Sequence, residues 1–210
     1  MIFEFYANSL MQMGSDGMGN IHKHLNRTCG VRLPQIGLES STGSGANVAW
    51  PHSPVSWRLV NTPAGVSFDD CSMELQSAFR TWEAVCPLRT NVSSRDSADI
   101  EIAFRSPGDF AELGNNAAIA FFPDSGALSG LVVFNSDQNW RLSELNNDQT
   151  QTKLFCYAVH EIGHAIGLKG HSGVGDHAMQ AVPGNWSGDL SGDDISAAQS
   201  LYSGGSIPDV

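Results

Sequence analysis

The chain has 210 residues, 41% of them hydrophobic, which is enough for one well-packed domain with a small additional segment. Its formal net charge is −11 and it contains only three lysines, so we expect no nucleic-acid partner and no binding to anionic membranes. No apolar run reaches the roughly 18 residues that a membrane-spanning helix needs, and a charged fraction of 16% leaves a polar, uncharged surface that suits a secreted protein.

The first 35 residues are predicted to form two short helices, over residues 3–13 and 21–27, with a glycine-rich turn between them. Residues 1–10 lack a basic start and include Glu4 within their apolar part, so no signal peptide is visible. Glycine and serine residues then predict a flexible linker over 36–48. We expect the main domain over 49–205 and a tail over 206–210.

Strands and one helix are predicted in the first part of the main domain. Alternating apolar residues predict strands at 56–60, 99–104, 117–122 and 131–134. After the first strand, Asp69 or Asp70 is expected to cap a helix that runs to about Val85. The predicted apolar stripe of this helix consists of Met73, Leu75, Ala78, Phe79, Trp82 and Val85.

Two further helices follow in the second part of the main domain. A long one is predicted over residues 152–168. Ser191 and Asp194 have the spacing of a capping box and predict the start of a last helix. This order of strands and helices predicts an α/β (α+β) domain with a mixed sheet.

The most informative segment lies in the long helix, where residues 160–171 have the sequence H-E-I-G-H-A-I-G-L-K-G-H. We interpret it as the zinc-binding motif H-E-x-x-H-x-x-G-x-x-H. His160 and His164 are four residues apart and so lie on one face of a helix. Gly167 lets the chain leave the helix with an unusual backbone angle, so that His171 returns as a third ligand.

Three histidine ligands leave the fourth position of a tetrahedral zinc open, which distinguishes a catalytic zinc from a structural one. A water at that position can become a nucleophile near neutral pH. Glu161 is the predicted general base, which takes a proton from this water and passes it to the leaving nitrogen. The segment therefore predicts one catalytic Zn²⁺ and hydrolysis of peptide bonds.

Beyond this segment, the main domain resembles the matrix metalloproteinases, or matrixins, of the metzincin clan. The resembling stretches are 57–63 (W-R-L-V-N-T-P), 81–88 (T-W-E-A-V-C-P-L), 98–102 (A-D-I-E-I), 193–195 (D-D-I) and 201–202 (L-Y). The resemblance implies a metzincin catalytic domain, with a twisted mixed sheet and three helices, preceded by a short helical propeptide. It also implies a zinc-dependent endopeptidase of proteins in zymogen form.

Two further site predictions come from this resemblance. Ala178-Met179 is similar to the family's Met-turn, in which a methionine underlies the metal. The substrate, a protein or peptide, is expected to lie as an additional strand beside Ala118, Ile119 and Ala120. The resemblance thus places the substrate along one edge of the sheet.

One cysteine also receives a role from the resemblance. Residues 27–31 (R-T-C-G-V) are similar to the cysteine switch, in which the propeptide thiolate, here Cys29, occupies the open zinc position and keeps the enzyme latent. Of the other three cysteines, Cys71 and Cys86 lie at opposite ends of one predicted helix, too far apart for a disulfide. Either Cys156 pairs with one of them or all three are reduced.

Two metal sites of the family are expected to be absent from this chain. The family's structural zinc is held by three histidines and an aspartate, and at the matching positions of this chain Asp109 is the one residue that could be a ligand. The calcium-binding acids correspond to Asn135 and Gln138, which are neutral and bind a hard dication weakly. We predict no structural zinc and no calcium, with apolar packing by Ile119 and Val133 in their place.

Two other interpretations are open at this point. A non-catalytic zinc-containing binding protein could use the same scaffold, although the complete ligand set and Glu161 argue against it. An intracellular regulatory peptidase, or one inhibited permanently by its own N-terminus, would be favoured if all four cysteines were reduced. The sequence favours a secreted, monomeric peptidase.

Overall fold

The computed structural model describes residues 28–32, 46–142, 152–171, 177–180 and 188–203. The helices predicted over residues 3–13 and 21–27 lie outside the described residues, as does most of the predicted linker. In the part of the chain that is described, no helix combines the length and the apolar character that crossing a membrane requires.

In the described ranges, six strands form one mixed sheet and two short strands form a separate pair. The strands are β1 (Thr28–Arg32), β2 (Val55–Leu59), β3 (Thr90–Val92), β4 (Ile100–Arg105), β5 (Asn116–Phe121), β6 (Leu131–Asn135), β7 (Trp140–Arg141) and β8 (Thr152–Lys153). The large sheet has the order β1-β5-β6-β4-β2-β3, and β7 pairs with β8. Within the large sheet β5 is antiparallel to both neighbours, whereas the other neighbouring pairs are parallel. The four predicted strands correspond to β2, β4, β5 and β6, with ends displaced by at most one residue.

Three α-helices of the described chain accompany the sheet: α1 (Phe68–Glu83), α2 (Leu154–Ala165) and α3 (Gly192–Tyr202). A mixed sheet with three helices confirms the predicted fold class. The capping box of α3 is also confirmed, because the Asp194 N–H donates to the Ser191 hydroxyl while the Ser191 N–H donates to the Asp194 carboxylate.

The first helix differs from the prediction in its cap and in its buried face. Its N-cap is Ser67, whose hydroxyl accepts a hydrogen bond from the Asp70 N–H. Asp69 and Asp70 instead occupy the first turn, where negative charge favours the helix N-terminus. Met73 is 66% exposed and lies outside the apolar stripe, because the buried face follows a helical spacing that excludes it. The buried residues of α1 are Cys71, Glu74, Leu75, Ala78, Phe79 and Trp82.

Helix α2 is shorter than the predicted range of 152–168. Thr152–Lys153 pairs with Trp140–Arg141 as β8, so the helix begins only at Leu154. It ends at Ala165, two residues before Gly167. All but one of its residues are buried, so the helix runs through the core of the domain.

The two faces of the sheet carry separate apolar clusters. Alternate residues of β5 point to opposite faces, so Ala118 and Ala120 join the main core while Ile119 joins a second cluster. In the main core, α1 and α2 pack against each other and against the sheet, where Trp57 of β2 stacks on Phe79 of α1 with 4.9 Å between ring centroids. The main core therefore holds α2 against the centre of the sheet.

The second cluster covers the opposite face of β5 and β6. Ile119 and Val133 lie opposite each other in the register of these strands, and both are buried. Side chains from the loop before β5 complete the cluster with them. Its buried members are Phe110, Leu113, Ile119, Phe121 and Val133. The apolar packing expected of Ile119 and Val133 is therefore present.

The three cysteines of the main domain are buried thiols rather than disulfides. Burial raises the pKa of Cys71 to about 12, and burial likewise raises the pKa of Cys86 and Cys156. Of the two alternatives that the sequence left open, the reduced trio corresponds to the structure. Because the thiolate is the reactive form, these buried thiols are expected to be inert.

Trp82 connects the two core helices and offers a test of their packing. It is fully buried, and its indole N–H donates to the Val159 carbonyl of α2 at 2.9 Å. Trp82→Phe should lower the free energy of unfolding by about 1–3 kcal/mol, because it removes this hydrogen bond and part of the packed volume. Urea denaturation measures the change. Met73→Ala on the exposed face of α1 is the control, with an expected change below about 0.5 kcal/mol, and equal effects of the two would contradict the assignment.

Candidate metal centre

Three histidine side chains meet at the end of α2. His160 and His164 lie one turn apart on the helix, and His171 lies in the segment that follows it. One ring nitrogen from each histidine lies within 4.8 Å of the others. Among the described residues, this group alone brings three or more histidine, cysteine or acidic side chains close enough together to hold one metal ion. The structure therefore brings the three predicted ligands together.

Two backbone carbonyls determine which ring nitrogens face the centre. Nδ1 of His160 lies 2.6 Å from the Ala178 carbonyl oxygen, and Nδ1 of His164 lies 2.6 Å from the Leu168 carbonyl oxygen. A carbonyl can only accept, so each Nδ1 carries the proton and donates it. In a neutral ring this leaves a lone pair on each Nε2, which points towards the centre. Metal-binding histidines characteristically donate their other ring N–H in this way.

The spacing of the Nε2 atoms fits a tetrahedral metal ion. Nε2 of His164 lies 3.0 Å from that of His160 and 3.2 Å from that of His171. Two nitrogens bound to one zinc at about 2.05 Å would lie about 3.3 Å apart. Lone pairs so close repel each other unless a cation or a proton lies between them. The donor atoms therefore fit Zn²⁺ in type, number and spacing.

Burial keeps these imidazoles in their neutral form. His160 and His164 are fully buried, and this desolvation lowers the pKa of His160 to about 3 and holds that of His164 well below its usual value. Charge repulsion from the neighbouring histidines lowers both pKa values further. Burial also lowers the pKa of His171. Since neutral imidazole is the metal-binding form, the site is ready for a cation at neutral pH.

The residue count corrects one detail of the motif. Gly167 and His171 are separated by Leu168, Lys169 and Gly170, whereas H-E-x-x-H-x-x-G-x-x-H has two residues at this point. The motif is thus complete through Gly167, and the third histidine comes one position later. His171 still reaches the other two histidines, so the connection accommodates the additional residue.

Gly167 allows the sharp exit from α2 that the sequence predicts. Its φ is +114°, in the region that favours glycine. A side chain at this position would collide with the Val48 carbonyl, and the Val48 N–H donates to the Gly167 carbonyl at 3.2 Å. The Trp50 indole N–H donates to the Ala165 carbonyl at 3.0 Å. The end of α2 is therefore packed against residues 48–50, where the predicted linker meets the main domain.

Met179 packs against the helix that carries the histidines. It is buried, and a Cβ added at Gly163 would lie 2.5 Å from the Met179 sulfur and 2.7 Å from Cζ2 of Trp82. The residue before it, Ala178, supplies the carbonyl that orients His160. Met179 therefore contacts the helix between the two histidines, and its function as the Met-turn stays a prediction.

Glu161 follows His160 on α2 and is fully buried. A buried carboxylate in this place is a candidate proton acceptor. Sequence reasoning missed Phe122, whose ring packs edge-on against His164 at 5.6 Å, and Lys169, whose ammonium pairs with Asp124 at 2.7 Å. Lys169 could have been noticed in the sequence, because it is the one charged residue in the otherwise uncharged stretch 166–170 that follows the helix.

Strand β5 carries the predicted substrate-binding residues, and its outer edge is paired with β1. The backbones of Ala118, Ile119 and Ala120 lie opposite residues 29–31 in antiparallel register. The same N-terminal strand also contacts α2. The side chain of Cys29 lies outside the described part of the structure, so binding of its thiol to the metal centre stays a prediction.

Comparison with known proteins identifies the family. The matrixin model of peptidase family M10 matches residues 49–203, a range that includes α1, α2, α3 and the three histidines. The chain belongs to the matrixin family. It is 32% identical over 200 residues to stromelysin-1 of Mus musculus, 31% over 163 residues to interstitial collagenase of Sus scrofa and 34% over 163 residues to macrophage metalloelastase of Rattus norvegicus.

These matrixin alignments cover most of this chain but a smaller part of its relatives. They include 91%, 74% and 73% of the chain against 39%, 33% and 33% of the respective relatives. The chain thus spans well under half the length of these proteins. The stromelysin-1 alignment is too long to fit within residues 49–210 and therefore includes part of the N-terminal segment.

Gly163→Ala tests the packing of Met179 and Trp82 against the histidine helix. The added methyl group would overlap both side chains. The free energy of unfolding should therefore fall by about 1–3 kcal/mol, and zinc should bind more weakly. Urea denaturation and zinc competition with a chelator measure the two effects. Gly170→Ala is the matched control, because a Cβ there meets nothing within 4 Å and should change neither quantity appreciably. Equal losses in both variants would show that the contacts at Gly163 are unimportant.

Proposed function

We propose that this protein is a zinc-dependent endopeptidase that hydrolyses peptide bonds of proteins. The observation that carries this proposal is the convergence of one ring nitrogen from each of three histidines, with a buried glutamate next to the first of them on the same helix. Membership of the matrixin family supports it, since the related proteins include a collagenase and a metalloelastase.

His160, His164 and His171 would hold the zinc, and Glu161 would be the general base. Zinc supplies Lewis-acid chemistry when bound, because it lowers the pKa of water and polarises a carbonyl group. Glu161 takes the proton from the attacking water and delivers it to the nitrogen of the departing peptide. Full burial of Glu161 limits proton exchange with bulk water during this transfer.

The substrate is proposed to bind as an extended strand along β5. The outer backbone groups of Ala118, Ile119 and Ala120 form this edge, and in the structure they pair with β1. This pairing supports the proposal, because it demonstrates that the edge accepts an antiparallel strand. Backbone hydrogen bonds would provide affinity for many extended peptides, while side-chain pockets would decide the preference among them.

Residues 1–35 are proposed to be a propeptide that keeps the enzyme latent, with residues 36–48 as the region where activation cleaves. The support is that β1 occupies the substrate edge and that Cys29 lies opposite Ala120. A thiolate is a good zinc ligand, so Cys29 would fill the position that water needs. The segment would thus block both the substrate strand and the metal.

A single zinc per chain is part of the proposal, with neither a structural zinc nor calcium. The second apolar cluster supports this view, because Ile119 and Val133 pack there at positions where the wider family is expected to carry metal ligands. Apolar burial contributes about 25 cal/mol for each Å² removed from water and would stabilise this region without a metal.

We further propose that the protein is secreted and works as a monomer. Family membership supports secretion, as does a polar composition in which only 16% of the residues are charged. The buried thiols are compatible with an oxidising compartment, because their raised pKa values and burial protect them from disulfide exchange.

A non-catalytic binding protein on the same scaffold is the alternative. It is not favoured, because the three histidines converge on one point and Glu161, the neighbour of His160 on α2, is fully buried. A binding protein would need the histidines only for stability and would have no requirement for the carboxylate.

Glu161→Ala is the direct test of the proposed base. In a chain that starts at Gly45 and so lacks the proposed propeptide, the variant should keep one zinc per chain but hydrolyse unfolded casein about 10²-fold more slowly or worse than the same chain with Glu161, because general-base catalysis is lost. Metal analysis and a casein cleavage assay measure the two quantities. His171→Ala serves for comparison, since it should lose zinc itself. A Glu161→Ala protein that retains its zinc and more than about 5% of the activity would show that another group is the base.

Removal of the N-terminus tests latency. A chain that starts at Gly45 keeps Val48 and its contacts to Gly167 but lacks β1, so it should cleave casein or gelatin while the full-length chain does not. Each form should contain one zinc, and two zincs would contradict the loss of the structural site.

Cys29→Ser in the full-length chain separates the thiolate from the strand. Activity should rise towards that of the shortened chain if the thiolate provides latency, and it should stay low if strand pairing is sufficient. Full activity of the unmodified full-length chain would overturn the proposed latency.

A further inference from the structure

We propose that Lys169 and Asp124 form a positioning pair that holds His171 in the metal centre. The inference rests on the zinc-binding function proposed above. The pair is close to the histidines: the Lys169 ammonium lies 5.6 Å from the centroid of the Phe122 ring, and that ring lies 5.6 Å from the His164 ring.

The third histidine depends on a longer connection than the other two. His160 and His164 are carried by α2, which ends at Ala165. His171 comes six positions later, after two glycines and with one more residue than the motif provides. A glycine-containing segment of this length has many accessible conformations, so helix geometry alone does not determine where His171 lies.

The first part of this connection is fixed by backbone hydrogen bonds. The Leu168 N–H donates to the Gly163 carbonyl at 3.0 Å, and the Leu168 carbonyl accepts from His164. The Gly167 carbonyl accepts from the Val48 N–H. The chain is therefore well anchored through residue 168, three residues before the ligand.

Lys169 extends this anchoring towards His171. Its N–H donates to the Asn47 side-chain oxygen at 3.0 Å, and its Nζ lies 2.7 Å from Oδ2 of Asp124. Lys169 as a whole is 8% exposed. The next residue, Gly170, has no side chain, and a Cβ there would meet no atom of the described residues within 4 Å. Lys169 is thus the side-chain anchor that immediately precedes the ligand segment.

Charge explains why this anchor has one geometry. A buried ammonium is costly without an acidic partner, so Lys169 favours the backbone conformation in which it reaches Asp124. Asp124 lies in the turn after β5, the strand proposed to bind substrate. The pair therefore ties the segment that carries the third ligand to the end of the substrate edge.

Loss of the pair should affect His171 and spare the other ligands. His160 and His164 would stay in place, because α2 and the carbonyls of Ala178 and Leu168 hold them. Groups that orient a metal ligand without binding the metal contribute about 10–100-fold to metal affinity. We expect zinc affinity to fall by this factor.

The test compares Lys169→Met and Asp124→Asn with the unmodified full-length chain. Zinc affinity is measured by competition with a fluorescent chelator, and the ligand geometry is followed through the visible absorption of the cobalt-substituted protein. Each variant should bind zinc about 10–100-fold more weakly and alter the cobalt spectrum. The double variant should lose no more than the single ones, because the two residues act as one unit. Lys169→Arg should recover part of the affinity.

Glu101→Gln is the matched control, since it removes the Arg58–Glu101 ion pair, whose atoms lie 3.8 Å apart on β2 and β4. It should leave zinc affinity and the cobalt spectrum unchanged. Zinc affinities within threefold of the unmodified chain for both Lys169→Met and Asp124→Asn would overturn the proposal, as would an equal loss in Glu101→Gln. Absence of zinc binding in the unmodified chain would overturn this inference and the proposed function together. Tight zinc binding without peptide hydrolysis by the shortened chain that starts at Gly45 would overturn the proposed function alone.

Discussion

The structure depends on a helix whose two imidazoles must face each other with unprotonated nitrogens in a buried site. Helix α2 does not itself supply the acceptors that orient these rings, because both of them belong to residues beyond its last residue, Ala165. The carbonyls of Ala178 and Leu168 accept the Nδ1 protons of His160 and His164 and so orient both rings. Two segments after the helix must therefore fold back onto it before the metal centre exists.

The rest of the domain supplies the surfaces that make this return possible. Trp82 of α1 and Met179 lie so close to Gly163 that only a glycine fits there. This close packing determines how near α2 lies to α1 and to Met179. At the other end, Val48 approaches Gly167 too closely for any Cβ. Both glycines allow backbone or side chains of distant segments to lie directly against the histidine helix.

Local sequence patterns predicted the longer elements of the main domain and missed the short strands and the long-range contacts. Strand alternation and the spacing of the histidines depend on residues close in the chain, so β2, β4, β5, β6 and the ligand set could be found, whereas β1, β3, β7 and β8 were not predicted. The cap of α1 was misassigned because Ser67, Asp69 and Asp70 are all good N-terminal residues, and only the backbone decides among them. The contacts of β1 with β5 and of Lys169 with Asp124 join residues tens of positions apart, which no local pattern encodes.

The pairing of β1 with β5 suggests why release of the N-terminus would matter energetically. A strand tethered to its own binding edge competes at an effective concentration on the order of millimolar, whereas a protein substrate arrives by diffusion at far lower concentration. Backbone pairing is largely independent of side-chain identity, so residues 28–32 and a substrate bound along β5 as proposed would compete for the same groups of Ala118–Ala120. In the proposed latent form, occlusion would thus follow from the tether itself, and a Cys29 thiolate on the metal would strengthen an exclusion that strand pairing already provides.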